Sequence, residues 1–227
     1  MIRVSTGIPG LNEILHGGWL DRRAYVVRGG PGTGKTTVGM HFMAAGAEAG
    51  EHGLFVSFDE TGTQIRTDAA ALGMNLENVD FMDLAPAPEA FREMLTYDIF
   101  SPIEVEKYPI THLISDKIEE IRPARVFIDG FSQFGQLATD SFHCRRLVQS
   151  CFRFVTQSGA TLLVSCDGAD PRRDLDIESV ADGVLVLEAL ESSRRLRVLK
   201  FRGSGHETGA HVIRLTASGI VAFLAAA

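Results

Sequence analysis

Eight consecutive residues, Gly29-Gly30-Pro31-Gly32-Thr33-Gly34-Lys35-Thr36, combine the backbone freedom of glycine with one lysine and a hydroxyl. Glycine torsions let successive N–H groups turn toward one point, as an anion with several oxygens requires. The spacing is G-x-x-x-x-G-K-[ST], and its chemistry is that of a phosphate cradle. Lys35 would reach the outer phosphates, and Thr36 would offer its hydroxyl to Mg2+. A helix opening near Lys35 would aim its positive end at the same place. With Gly30, Pro31, Gly32, Thr33, Gly34 and Thr37, these residues form the expected contact set for ATP.

Hydrolysis of a phosphoanhydride needs carboxylates beside such a cradle. Arg125-Val126-Phe127-Ile128-Asp129 is an apolar strand ending in an acid, and Asp129 would hold the magnesium through water. Gly130 follows it, so no acidic pair stands there. The acids able to orient and deprotonate water are Asp59 and Glu60, after the apolar run Leu54–Phe58. Glu60 is the preferred base, with Asp59 as its neighbour or substitute. Farther along, alternation in Lys200-Phe201-Arg202 sends the two cations to one face. A pair of cations there would stabilise charge on a transferring phosphoryl group, and its distance along the chain suits service to a neighbouring subunit's nucleotide. His206 has no partner at metal-ligand spacing.

These residues must be positioned by strands and helices that alternate along the chain. Ala24–Arg28, Leu54–Phe58, Phe81–Leu84, Arg125–Asp129 and Thr161–Ser165 read as strands. Lys35–Ala49, Thr63–Leu72, His112–Ile121 and Phe142–Gln157 read as helices. Pro86 to Pro109, with Pro88 and Pro102, reads as an irregular excursion, lid-like or interface-forming. After that the strands Gly183–Glu188, Leu196–Phe201, Ala210–Leu215 and Ile220–Phe223 follow one another without helices, as in an antiparallel meander. The fold class is therefore α/β, a mostly parallel sheet flanked by helices with a C-terminal meander, expected to span 1–227 as one domain.

The 227 residues are 45% hydrophobic and 22% charged, which is ordinary globular usage and excludes wholesale disorder. No apolar run approaches the ~20 residues of a membrane helix, and the first residues lack a signal peptide's apolar core. Cys144, Cys151 and Cys166 are an odd number without metal spacing, so a cytoplasmic location is expected. A formal charge of −7 argues against coating nucleic acid. The closing Ala225-Ala226-Ala227 reads as a cloning remnant or the edge of a truncated chain.

Taken in order, the segments resemble the KaiC family of ATPases within the RecA/RadA fold group. The resemblance starts at Ser5-Thr6-Gly7-Ile8-Pro9-Gly10-Leu11-Asn12-Glu13-Ile14 and Gly17-Gly18. It continues through the phosphate loop, Phe58-Asp59-Glu60-Thr61, Ile128-Asp129 and Lys200-Phe201-Arg202-Gly203 with His206. It implies a hexameric ring with ATP at each subunit interface. Lys35, Thr36 and Asp129 would act in cis with Asp59/Glu60 as base, while Lys200, Arg202, Ser204 and His206 would reach across. It departs from the family in having one such domain where the clock protein has two. Asp59 also stands where a second glutamate is usual.

Some members phosphorylate a Ser/Thr pair just before the strand that here starts near Gly183. Ser179 is the one hydroxyl available, and Glu178 occupies the other place, which disfavours a two-site cycle. The expected function is a slow ATPase whose nucleotide state controls ring assembly and docking of a regulatory protein. The alternatives are a recombinase- or helicase-like ATPase moving on DNA and a non-hydrolysing module that nucleotide glues together.

Overall fold

The central strands read as runs of Val, Leu, Ile and Phe because both faces of their sheet are covered. In the computed structural model, which describes residues 1–85, 104–136, 138, 140–168 and 171–225, these strands join a nine-stranded sheet. Chain order gives β1 (Arg3–Val4), α1 (Leu11–Ile14), β2 (Trp19–Leu20), β3 (Ala24–Gly29), α2 (Lys35–Glu48), β4 (Gly53–Ser57), α3 (Gly62–Ala71) and β5 (Val79–Asp83). Then come α4 (Glu104–Ile121), β6 (Arg125–Asp129), α5 (Phe131–Gln136), α6 (Ser141–Gln157), β7 (Thr161–Cys166) and α7 (Pro171–Val180). The chain closes with β8 (Gly183–Ala189), β9 (Arg194–Phe201), β10 (Ala210–Thr216) and β11 (Gly219–Phe223).

The sheet runs β11-β10-β9-β8-β3-β7-β6-β4-β5. From β8 to β5 all pairings are parallel, and β9, β10 and β11 add on antiparallel, as the sequence pattern predicts. Strand alternation divides the core in two. Tyr25, Phe55, Phe127, Leu163 and Leu185 point to the side holding α1, α2 and α3. Val26, Val56, Ile128, Val164 and Val184 point to the side of α4, α6 and α7. Past β8 only the first side is filled, so Arg195, Arg197, Leu199, Val212 and Arg214 face outward on the meander.

The structure departs from the sequence expectations at several places. Helix α4 begins at Glu104, inside the stretch read as irregular up to Pro109. One proline removes a single main-chain donor, and the helical pattern that follows outweighs it. Residues 86–103 of that stretch lie outside the described residues, as do Ala226 and Ala227. The short ribbon β1–β2, α1, α5 and α7 are additional. Helix α7 is dense in charge and hides its apolar stripe, of which Ile177 is fully buried.

Helix α2, which carries the phosphate loop, is apolar on nearly every side because it is wrapped on nearly every side. It sits so close to β6 that a Cβ at Gly39 would lie 2.0 Å from Phe127 Cε1. Arg125, 3% exposed, donates to the carbonyls of Ser5 and Phe42 and pairs with Glu51, locking the opening segment to α2. His41 accepts a hydrogen bond from Ile220 N–H at 2.8 Å, joining α2 to the β10–β11 turn. The outer edge of β11 is not bare: Ala222 N–H donates to the Pro9 carbonyl at 2.9 Å, and Gly10 packs on the Ala222 carbonyl.

Gly39→Ala gains about 1 kcal/mol of helix propensity but overpacks the Phe127 ring, which is held edge-on by Phe55. A net loss of about 1–2 kcal/mol in denaturant-induced unfolding is expected; unchanged or raised stability would show that α2 does not lie this close to β6.

Candidate functional site

Parallel strands that start level also end level, and here four of them end in polar residues. The loop after β3 leads into Lys35 and Thr36 at the start of α2, and the turn after β4 bears Asp59 and Glu60. Asp129 closes β6, and β7 supplies Ser165 just before Asp167. In open α/β sheets ligands gather at this carboxyl edge. These groups, with Pro31, Gly130 and Gln133, line one cleft of about 240 Å³.

The loop has the shape its glycines dictate. Gly32 and Gly34 take φ of 70° and 103°, the left-handed region costly to other residues. A Cβ on Gly30 or Gly32 would meet nothing within 4 Å, so neither is glycine for want of packing space. Gly32 serves the turn, and Gly30 keeps the cradle open. Buried Thr33 braces the loop by donating to the Gly30 carbonyl at 2.8 Å. Gly34 caps α2 without a side-chain acceptor, which leaves first-turn N–H groups facing the loop for an anion. Lys35 Nζ donates to the carbonyls of Gly29 and Gly30 at 2.8 and 3.0 Å, a position from which it can swing to phosphate oxygens. Thr36 and Thr37 sit in the first turn of α2.

The acids differ in their surroundings. Asp129, 6% exposed, accepts a hydrogen bond from the Ser165 hydroxyl, which in turn accepts from Gly130 N–H at 2.9 Å. Gln133 Nε2 donates to Asp59 Oδ1 at 2.5 Å. Asp59 also crosses close to Gly130, where a Cβ would fall 2.8 Å from Asp59 Oδ2, so its carboxylate is held. Among the described residues Glu60 carries no such side-chain clamp; its N–H donates to Ser57 Oγ at 3.0 Å. Burial first, and then the negative charges of Asp129, Asp68 and Asp59, push the Glu60 pKa above the ordinary carboxylate range. Ser165, Gln133 and Asp167 were not singled out from sequence. A hydroxyl at the end of a buried strand was the available signal for Ser165.

The donor set also fits a hard divalent cation. The Thr36 hydroxyl and the Asp129 carboxylate line the same cleft, and Mg2+ prefers such oxygens. Among the described residues no group of three or more His, Cys, Asp or Glu side chains could hold a metal alone. Magnesium here would therefore take its remaining ligands from phosphate and water.

Lys200, Arg202, Ser204 and His206 are not brought to this cleft within one chain. Phe201 pairs with Gly183, which is level with Tyr25 at the start of β3. From there to Gly29 is four residues, roughly 13 Å along the strand, and Arg202 lies beyond that. Lys200 Nζ donates to the Glu178 and Ser179 carbonyls at 2.9 and 3.1 Å. Ser204 accepts from Arg3 at 2.5 Å, and the His206 ring stands edge-on to Phe201. Ser179 donates its hydroxyl to the Asp176 carbonyl of its own helix. Among the described residues no helix is long and apolar enough to cross a membrane.

Comparison with known proteins places the chain. The sequence model of the family described as "ATPase: KaiC" matches residues 4–226. A UPF0273 protein of Methanopyrus kandleri is 31% identical over 96% of this chain and 90% of its own length. The circadian clock oscillator protein KaiC of Synechococcus elongatus is 32% identical over 97% of this chain but only 44% of that longer protein. A crystal structure of a KaiC-like protein from Pyrococcus horikoshii superposes with a TM-score of 0.79 at 24% identity, covering 98% of this chain and 99% of that one. With an open phosphate cradle, carboxylates from three neighbouring strand ends on one sheet edge and a family match along almost its whole length, this chain belongs to the KaiC family of ATPases.

Proposed function

We propose that the chain binds Mg-ATP at the carboxyl edge of β3, β4, β6 and β7 and hydrolyses it slowly at the seams of a hexameric ring. The observation that carries this reading is the separation of the parts. Lys35, Thr36, Asp129 and Glu60 line one edge of the sheet, while Lys200 and Arg202 stand at the opposite end of the strands. A cleft of about 240 Å³ is also smaller than the ~300–1,000 Å³ that encloses a ligand on its own. A second surface bearing cations would complete it. The relatives named as circadian clock proteins support a regulatory role, in which the nucleotide state governs assembly and docking of a protein partner.

In this mechanism the loop N–H groups and Lys35 hold the triphosphate, and Lys35 gives up the Gly29 and Gly30 carbonyls to do so. Thr36 and Asp129 would hold the magnesium, with Ser165 fixing the Asp129 carboxylate; the ion would offset charge on the outer phosphates. Asp59 is engaged by Gln133, so the division of labour favours Glu60 as the base that takes a proton from water. Lys200 and Arg202 of an adjoining subunit stabilise charge on the phosphoryl group as it passes from ADP to water. Ser204 and His206 shape that hairpin from beside it. The Ser179 hydroxyl is turned into its own helix, which disfavours its modification.

Phosphate release should fall by about 10²-fold or more in Lys35→Ala and in Glu60→Gln. Rates equal to the wild type would refute hydrolysis at this site. Size measurement should show a hexamer with Mg-ATP; full-sized rings without turnover would favour the non-hydrolysing module, and stimulation by single-stranded DNA the DNA-moving one.

A second expectation concerns pH. A base works only when ionised, and the raised Glu60 pKa means that activity is lost as pH falls through a value above the ordinary glutamate range. Asp68 contributes to that rise, so Asp68→Asn should move the acid limb of the pH–rate profile to lower pH with the plateau kept. An unmoved or oppositely moved limb would mean that Glu60 is not the titrating group.

A further inference from the structure

Arg28 and Glu178 form an ion pair outside the cleft that the cradle lines. Arg28 is next to last in β3, one peptide before Gly29, whose carbonyl accepts from Lys35. Its Nη1 lies 2.9 Å from Glu178 Oε1, and the Glu178 side chain is only 12% exposed. Such shelter separates it from solvated surface pairs, which contribute little. Burial raises the Glu178 pKa while Arg28, first, and Lys200 oppose the rise, so the carboxylate depends on these cations.

The same residue lies in the last turn of α7, and there the main chain takes over. The Glu178 carbonyl accepts from Lys200 Nζ at 2.9 Å, and the Ser179 carbonyl accepts from Lys200 Nζ at 3.1 Å and Arg202 Nη2 at 3.5 Å. The last carbonyls of a helix lack intrahelical partners and carry partial negative charge, which suits them to hold cations. Below them, Arg202 N–H donates to the Asp182 carbonyl at 2.7 Å. One helix end thus grips the phosphate-loop strand by a side chain and the two basic residues by its backbone.

A triphosphate that draws Lys35 away would remove one hydrogen bond from the carbonyl of Gly29, the residue that follows Arg28. We propose that the Arg28–Glu178 pair couples occupancy of a subunit's own phosphate loop to the placement of Lys200 and Arg202, with α7 as the rigid link. Arg28 and Glu178 are then positioning residues. Because the placement matters only if those cations serve the adjoining nucleotide, the proposal rests on the seam reading above. Its consequence is that each loaded site prepares the next one.

Hydrogen exchange read by mass spectrometry tests the coupling inside one chain, at concentrations where subunits are separate, with a non-hydrolysable ATP analogue and magnesium. In the wild type, peptides covering the loop, 176–182 and 199–205 should all change their exchange several-fold on binding. In Glu178→Gln, and independently in Arg28→Gln, the loop peptides should still respond and the two distant peptides should not. Distant peptides that respond equally in both variants, or never in the wild type, overturn the proposal. The seam reading has its own test: Lys35→Ala and Arg202→Ala, each inactive alone, should regain activity when mixed. Failure of that complementation removes the seam, whereas complementation with unaltered distant exchange removes only the coupling.

Discussion

A triphosphate tail concentrates several negative charges within a few ångströms, and no single side chain can meet them. The chain answers with parallel register. Leu163, Val26 and their partners keep β3, β4, β6 and β7 level, so the loop, the acids and Ser165 emerge together at one edge. The helix behind the loop has its first N–H groups free and its body buried among apolar residues. Polar chemistry is thus held by an apolar frame whose fit is close enough that a Cβ at Gly39 or Gly46 would press on the side chain of Phe127 or Arg125.

Much of this was legible in the residues. The loop pattern required a strand before it and a helix after it, and β3 and α2 begin and end within a residue or so of that reading. Apolar runs ending in acid located β6 and β4 as well. What was not legible depends on contacts far apart in sequence. Ser165 acquires meaning only because β7 lies beside β6, and Gln133 because α5 folds back over the β4 turn. Helix α7 was hidden by its charges: an apolar stripe as thin as that around Ile177 is weak beside so many acids. The Pro109 region was misread because a proline signals interruption locally, while a long helix tolerates one.

The reversal of direction at β9 has a geometric effect on the site. Had the meander continued parallel, Lys200 and Arg202 would have emerged beside the cleft. Running antiparallel, β9 delivers them to the other end, where the carbonyls of α7 hold them in place. Under the proposed seam, acids and cradle on one rim would meet cations on the opposite rim of a rotated copy, and such head-to-tail surfaces close into rings when the angle permits.

The contact of Pro9 and Gly10 with β11 bears on a different hazard. A sheet ending in the uncharged strand Gly-Ile-Val-Ala-Phe offers a template onto which foreign strands can zip, the first step of amyloid-like accretion. By occupying the Ala222 amide and crowding its carbonyl, the chain's opening turn blunts that template. The opening turn thus acts as a gatekeeper on this edge of the sheet.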